Sequence, residues 1–174
     1  LFLHVTGQRA NGYHELQTAC QLRDWGDRLY FEIIEIPGIH LSPPMTGLPN
    51  EDNLICRAAS LLQLPDDHGV AISIDKIIPM GGGLGGGSSN AAVTLLALNN
   101  LFGLGHSLDE LTVMGGVLGA DVPVFVRGRS AFAAGIGDEL TPIELPERWF
   151  VIIYPECHVS TQEIFDAPEL TRNT

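Results

Sequence analysis

Apolar Val70, Ile72 and Ile74 alternate with Ala71, Ser73 and Asp75. This period of two predicts a half-buried strand. The strand leads into "IIPMGGGLGGGSSNAA", residues 77–92, with six glycines in the seven positions 81–87. Pro79 has no amide proton to give a ladder and ends the strand. After the glycines, Ser88 or Ser89 is placed to cap a helix running to about Leu101, with Gly103 closing it.

The rest of the pattern is read the same way. Leu1 to Val5 is strand-like and is followed by the polar turn "TGQRANGYH". Glu15–Asp24 and Arg28–Glu35 read as two β segments around Trp25-Gly26-Asp27, where Gly26-Asp27 is a hairpin signal. "PGIHLSPPMTGLPNED" is rich in Pro and Gly and reads as loop or edge. Asp52 is placed to cap a helix whose apolar Leu54, Ile55, Ala58, Leu61 and Leu62 fall at helical spacing. Ser107 and Glu110 have capping-box spacing, and the helix they open runs to about Leu118. Val122–Val126 reads as a strand, "SAFAAGIGDEL" as a strand with a glycine turn, and "RWFVIIYP" as a short strand opening a second domain. No internal repeat is visible. Strands before and after a helical middle predict an α+β fold.

Composition narrows the function classes. Of 174 residues, 45% are hydrophobic and 17% charged, an ordinary globular balance. The formal net charge is −12 and Lys76 is the only lysine, so no nucleic-acid partner is expected. An anionic ligand would have to be held by backbone amides, a few arginines or a metal. Cys20, Cys56 and Cys157 are far apart and without CxxC spacing, which fits free thiols, mainly as buried small hydrophobes, in a reducing, cytoplasmic compartment. The six histidines are scattered without paired spacing, so no protein-held metal site is expected. No apolar run approaches the length of a membrane span, and no leader peptide is expected. The chain opens without Met in a strand-like run and stops at "PELTRNT", so it reads as a fragment of a longer protein.

Glycines let backbone approach a ligand closely, at about 0.5–1 kcal/mol each relative to Ala in regular structure. A loop of six that feeds a helix N-terminus makes a cradle for phosphate, from orphan amides and a concave nest. Ser88 and Ser89 add hydroxyls for a phosphate oxygen or Mg²⁺. A Walker A loop is excluded, because Gly87 stands where its lysine belongs. A dinucleotide fingerprint drawn as Gly81-x-Gly83-x-x-Gly86 lacks its downstream acidic residue. A flexible surface loop does not account for the tight bounds of strand, proline and helix.

Three further groups invite chemistry and keep a local alternative. Asp121 in "GADVP" follows Gly119 at the mouth of the next element; it is a base aimed into a cleft or a local cap. Tyr13 can stack on a base and His14 can hydrogen-bond its edge, or both simply pack locally. Asn53 and Leu54 border a ligand, or Asn53 joins Asp52 in capping. Arg127 and Arg129 read as solvated.

"PMGGGLGGGSSNAA" resembles the phosphate-binding motif of the GHMP kinases, small-molecule kinases that bind ATP without a Walker A loop. "LFLHVTGQRANGYHELQT", "EDNLICRAA" and "LGADVPVFVRG" extend the resemblance over nearly the whole chain. It implies a two-domain fold with an N-terminal domain of the ribosomal protein S5 domain 2-like type over residues 1–147. Residues 148–174 would begin a truncated second domain. It implies ATP and Mg²⁺, with the nucleotide near Asn53, Leu54, Lys76, Pro79, Met80, Gly81, Gly82, Gly83, Leu84, Gly85, Gly86, Gly87, Ser88, Ser89 and Asn90. Asp121 would activate the acceptor hydroxyl. Tyr13, His14, Thr161, Phe165 and Asp121 would meet the acceptor, with Tyr13 and Phe165 on opposite sides of a cytosine.

The activity so implied is phosphorylation of the 2-hydroxyl of a cytidine-diphospho sugar alcohol in non-mevalonate (MEP) isoprenoid precursor synthesis. Another GHMP kinase acting on mevalonate, homoserine or a sugar is the alternative, as is an inactive nucleotide-binding fragment. The family pairs the aspartate with a lysine and an asparagine just upstream of "LFL", which this sequence does not contain. A chain beginning at Leu1 is expected to be impaired in transfer. Monomer and homodimer are both compatible with the sequence.

Overall fold

The computed structural model describes residues 2–45, 47–155 and 161–174. Two sheets carry the strands. In the first, β1 (Leu3–Gln8), β2 (His14–Cys20), β6 (Ala131–Ala134) and β7 (Glu139–Pro142) lie in that order, all antiparallel. In the second, β5 (Gly69–Asp75) is central, antiparallel to β3 (Arg28–Ile34) and parallel to β4 (Gly38–Leu41). The expected alternation holds on β5: Val70 and Ile72 are buried and lie in the core with Leu41 of β4. The Pro/Gly-rich stretch after β3 is thus loop plus an edge strand.

Helices cover this second sheet. α1 (Leu54–Leu61), α2 (Gly86–Leu101), α3 (Leu108–Leu118) and α4 (Val122–Arg127) share one core built around Ile55, Leu95, Leu98, Leu111 and Val122. Ser107 and Glu110 form the expected capping box at the start of α3. The N-cap of α1 is Asn53 rather than Asp52: the Asn53 side-chain Oδ1 accepts from the Ile55 amide at 2.9 Å. Among the described residues no helix is long and apolar enough to cross a membrane.

Three expectations are corrected. Trp25-Gly26-Asp27 is no hairpin, since β2 and β3 lie in different sheets. The Asp27 side chain is turned inward, and its pull on distant groups outweighs the local turn signal.

Val122–Val126 is helical. Pro123 sits in the first turn, where its fixed φ is pre-set for a helix. Val122 and Val126, one turn apart, both face Gly115 of α3, where a Cβ would lie 3.0 and 3.3 Å from their methyl groups. Packing therefore overrides the weak helix propensity of valine.

Arg148–Pro155 forms no strand and has no ladder partner among the described residues. Trp149, Val151 and Ile153 are exposed by 101%, 89% and 82%. Phe150 lies under the Arg23 guanidinium, 4.3 Å from its carbon.

Cys56 is buried, which pushes its thiol pKa up, while Cys20 is only half-buried; both are free. Cys157 and His158 lie outside the described residues.

Candidate active site

The glycine loop joins β5 to α2 and alternates in hand. Gly81, Gly83 and Gly85 have φ of 69°, 66° and 70°, a region that side chains rarely enter. Gly85 is the N-cap of α2 and offers no side-chain cap, so the helix starts at Gly86 and neither Ser88 nor Ser89 caps it. The first amides of α2 are left without capping partners and point their partial positive charge outward. A residue other than glycine at 85 would also collide with its neighbour, since a Cβ would lie 2.7 Å from Phe125 Cζ.

Under the loop lies a group with no counterpart in the sequence reading. Asp27 Oδ1 accepts from the Ile77 and Ile78 amides at 2.7 and 2.8 Å. Its Oδ2 accepts from Lys76 Nζ at 2.7 Å and Asn90 Nδ2 at 2.8 Å. Burial disfavours its charge, but the hydrogen bonds from Lys76, Ile78, Asn90 and Ile77 outweigh that. The carboxyl therefore lies below its ordinary value. One carboxylate thus ties the end of β3's leading turn, the exit of β5 and the first turns of α2. Lys76 Nζ also donates to the Ile78 carbonyl, so the ammonium is held from two sides. The sequence pattern marks Asp27 only as a turn residue, because its partners are 49 to 63 positions away.

These elements enclose a cavity of about 540 Å³. Its wall contains Asn53, Leu54, Lys76, Pro79, Met80, the whole run Gly81–Gly87 including Leu84, then Ser88, Asn90 and Asp121. Ser89 does not line it; its amide continues the helix by donating to the Gly85 carbonyl at 2.8 Å. Asn53 has its amide nitrogen 3.1 Å from Met45 Sδ, so its capping role and its place on the wall coexist. Tyr154 reaches in from the extended segment, its hydroxyl donating to the Met80 carbonyl at 3.4 Å.

Asp121 is the N-cap residue of α4 without a capping hydrogen bond of its own. Its Oδ1 accepts from Ser88 Oγ at 2.7 Å. The residue therefore stands at the mouth of a helix, not of a strand, with its carboxylate beside the end of the glycine loop, where its Oδ2 lies 3.8 Å from the place of a Cβ on Gly85. Among the described residues, no three His, Cys, Asp or Glu gather in a way that would hold a metal.

A second cluster does not share this cavity wall. His14 opens β2 and is buried; Tyr13 beside it is 61% exposed. Phe165, on α5 (Thr161–Asp166), stacks on the His14 ring with centroids 5.0 Å apart and planes 25° apart. Thr161 is the first residue of that helix. Arg172, absent from the sequence reading, donates to His14.

Comparison with known proteins follows the same lines. Residues 53–129 match the family described as GHMP kinases N terminal domain. The chain is 55% identical, over its full length, to a 4-diphosphocytidyl-2-C-methyl-D-erythritol kinase of Marinobacter nauticus, and covers 62% of that protein. It is 53% identical to the protein of the same name from Pseudomonas paraeruginosa, again over all of this chain and 62% of the other. A crystal structure of 4-(cytidine 5'-diphospho)-2C-methyl-D-erythritol kinase superposes with a TM-score of 0.71 at 43% identity, covering 83% of this chain and 52% of that one. The chain thus spans about three fifths of the length of the curated relatives it matches.

Proposed function

We propose that this chain, which matches the GHMP kinases N terminal domain over residues 53–129, is a GHMP kinase that transfers the γ-phosphoryl group of ATP to the 2-hydroxyl of 4-diphosphocytidyl-2-C-methyl-D-erythritol. Residues 1–147 serve as the ATP-binding domain and residues 148–174 begin a second domain. The observation that carries the reading is a single cavity whose wall holds an uncapped helix N-terminus, alternating left-handed glycines and, hydrogen-bonded to the first turn of that helix, the Asp121 carboxylate. The relatives at 53–55% identity, which bear this kinase's name, support the choice of acceptor.

Transfer of this kind needs positioning and charge neutralisation more than covalent chemistry. The loop amides receive the triphosphate, and Asn53 and Leu54 border the adenine. Asp27 and Asn90 hold the loop in shape from beneath. Lys76 lends positive charge to the floor while remaining tied to Asp27. The acceptor oxygen attacks the γ-phosphorus as the bond to the β,γ-bridging oxygen breaks, and ADP leaves. Asp121 receives or orients the hydroxyl proton. The hard oxygens of Asp121 and Ser88, 2.7 Å apart, are suited to Mg²⁺, which would neutralise charge on the phosphates. Tyr13, His14, Thr161 and Phe165 form the cytidine end of the acceptor site.

The test is ADP release with ATP, Mg²⁺ and the cytidine-diphospho acceptor, for this chain and for the chain lengthened to the size of its relatives. Acceptor-dependent release by either supports the proposal. Release that requires homoserine, mevalonate or a sugar instead would replace the acceptor. Failure of both chains to bind ATP would remove the phosphate cradle from the reading.

A further inference from the structure

Arg172 sits at the edge of the His14–Phe165 stack and is clamped there by backbone. Its Nη2 donates to the carbonyls of Phe165 and Ala167 at 2.9 and 3.0 Å, and its Nη1 to that of Leu170 at 3.2 Å. The Phe165 carbonyl is one of those in the last turn of α5, where helical partners run out. The remaining nitrogen, Nε, donates to His14 Nε2 at 3.1 Å.

A guanidinium only donates and cannot be deprotonated in a protein. His14 Nε2 must therefore present its lone pair, which leaves the proton of a neutral imidazole on Nδ1. Free histidine in water favours the opposite arrangement, with the proton on Nε2. The ring cannot easily rotate out of this state, because it is buried and stacked on Phe165. The fourfold clamp likewise leaves Arg172 no freedom to swing away.

The geometry points to Arg172 as a positioning residue that locks His14 in its Nδ1–H tautomer and so makes it a reader of cytosine against uracil. This rests on the cytidine reading proposed above. Cytosine presents an acceptor at N3 beside its O2; uracil carries a proton on N3. A fixed N–H donor pairs with the first and meets another donor in the second, leaving two buried donors unpaired. A histidine free to switch tautomers would accept both bases. The discrimination therefore belongs to the Arg172–His14 pair rather than to His14 alone.

The tautomer is read directly from long-range proton–nitrogen correlation spectra of the uniformly ¹⁵N-labelled chain, with His14 assigned by its loss in His14→Gln. The proton is expected on Nδ1. In Arg172→Met, which keeps the apolar stem, it is expected to move largely to Nε2 while the remaining amide spectrum stays in place. Arg172→Lys, which retains a donor, is expected to restore Nδ1–H in part. A wild-type proton on Nε2, or an unchanged tautomer in Arg172→Met, would overturn the lock. Titration with CDP and UDP then reads its consequence. CDP is expected to bind at least about tenfold more tightly than UDP, and Arg172→Met to lose most of that ratio. Equal binding of the two by a wild-type chain with the Nδ1–H tautomer would overturn the discrimination and the cytidine assignment together, with the lock itself still standing.

Discussion

Lys76 and Asp27 form an ion pair at 2.7 Å in which the Asp27 side chain has no exposed surface. The only lysine in the chain is thus spent on the underside of the glycine loop. On the proposed reading, attraction for the phosphates is left chiefly to backbone amides. Removing the carboxylate takes the counter-charge from Lys76 and strands three further donors at once. Asp27→Ala is expected to cost roughly 3–5 kcal/mol of stability, the range for breaking a buried pair from one side. Asp27→Asn, still able to accept, costs less. Urea unfolding followed by circular dichroism measures both. A loss in Asp27→Ala below about 1 kcal/mol would show that the pair is not holding the loop.

The same carboxylate gives stability a definite pH dependence. Its folded-state pKa lies below the ordinary value, through hydrogen bonds that outweigh burial. Its contribution is therefore fully present above the unfolded value, about 3.9, and is lost as pH falls through the lower folded value. The difference in unfolding free energy between wild type and Asp27→Asn should be flat from about pH 7 to 5 and shrink below about pH 4. A difference that grew on acidification would contradict the assigned direction.

Gly85 is required for two separate reasons, its φ of 70° and its contact with Phe125. Gly85→Ala is expected to lose about 1–3 kcal/mol of stability from strain and overpacking. It should also weaken binding of a non-hydrolysable ATP analogue by at least about tenfold, because the first turn of α2 is displaced. Adding Phe125→Leu relieves the clash but not the left-handed backbone. The double variant should therefore recover part of the stability lost, a coupling that a double-mutant cycle measures. Full additivity would mean that the ring is not what Gly85 accommodates.

The strand–glycine loop–helix arrangement was readable because its signals are local: alternation on β5, Pro79, the glycines, then helical spacing. The capping box at Ser107 was readable for the same reason. Asp27 was not, since the groups that give it meaning arrive from β5 and α2. Val122–Val126 misled because alternating valines mimic a strand, and only contact with Gly115 shows that Val122 and Val126 share a helical face. Arg148–Pro155 carries a strand's pattern, but a strand also needs a neighbour to pair with. Tyr13 and His14 are adjacent in sequence yet fall in opposite environments, one exposed and one buried. What separates them is the arrival of Phe165 and Arg172.

Asp121 is the residue on which the proposed chemistry turns. Its Oδ1 accepts from Ser88 Oγ, so the carboxylate is oriented by the very helix whose amides are proposed to receive the phosphates. Asp121→Asn keeps the shape and an acceptor for Ser88 but cannot take a proton. It is expected to lower kcat for the cytidine-diphospho acceptor by roughly 10²–10⁴, the range for losing a general base. KM for ATP should stay within a few-fold, because the amides of the loop are untouched. Ser88→Ala removes the orienting hydroxyl while leaving the carboxylate, so its loss in kcat should be smaller. Coupled-assay measurement of ADP release separates the two parameters. A KM effect for ATP in Asp121→Asn as large as the kcat effect would place the carboxylate in nucleotide binding, and a kcat within about threefold of wild type would remove it from proton transfer.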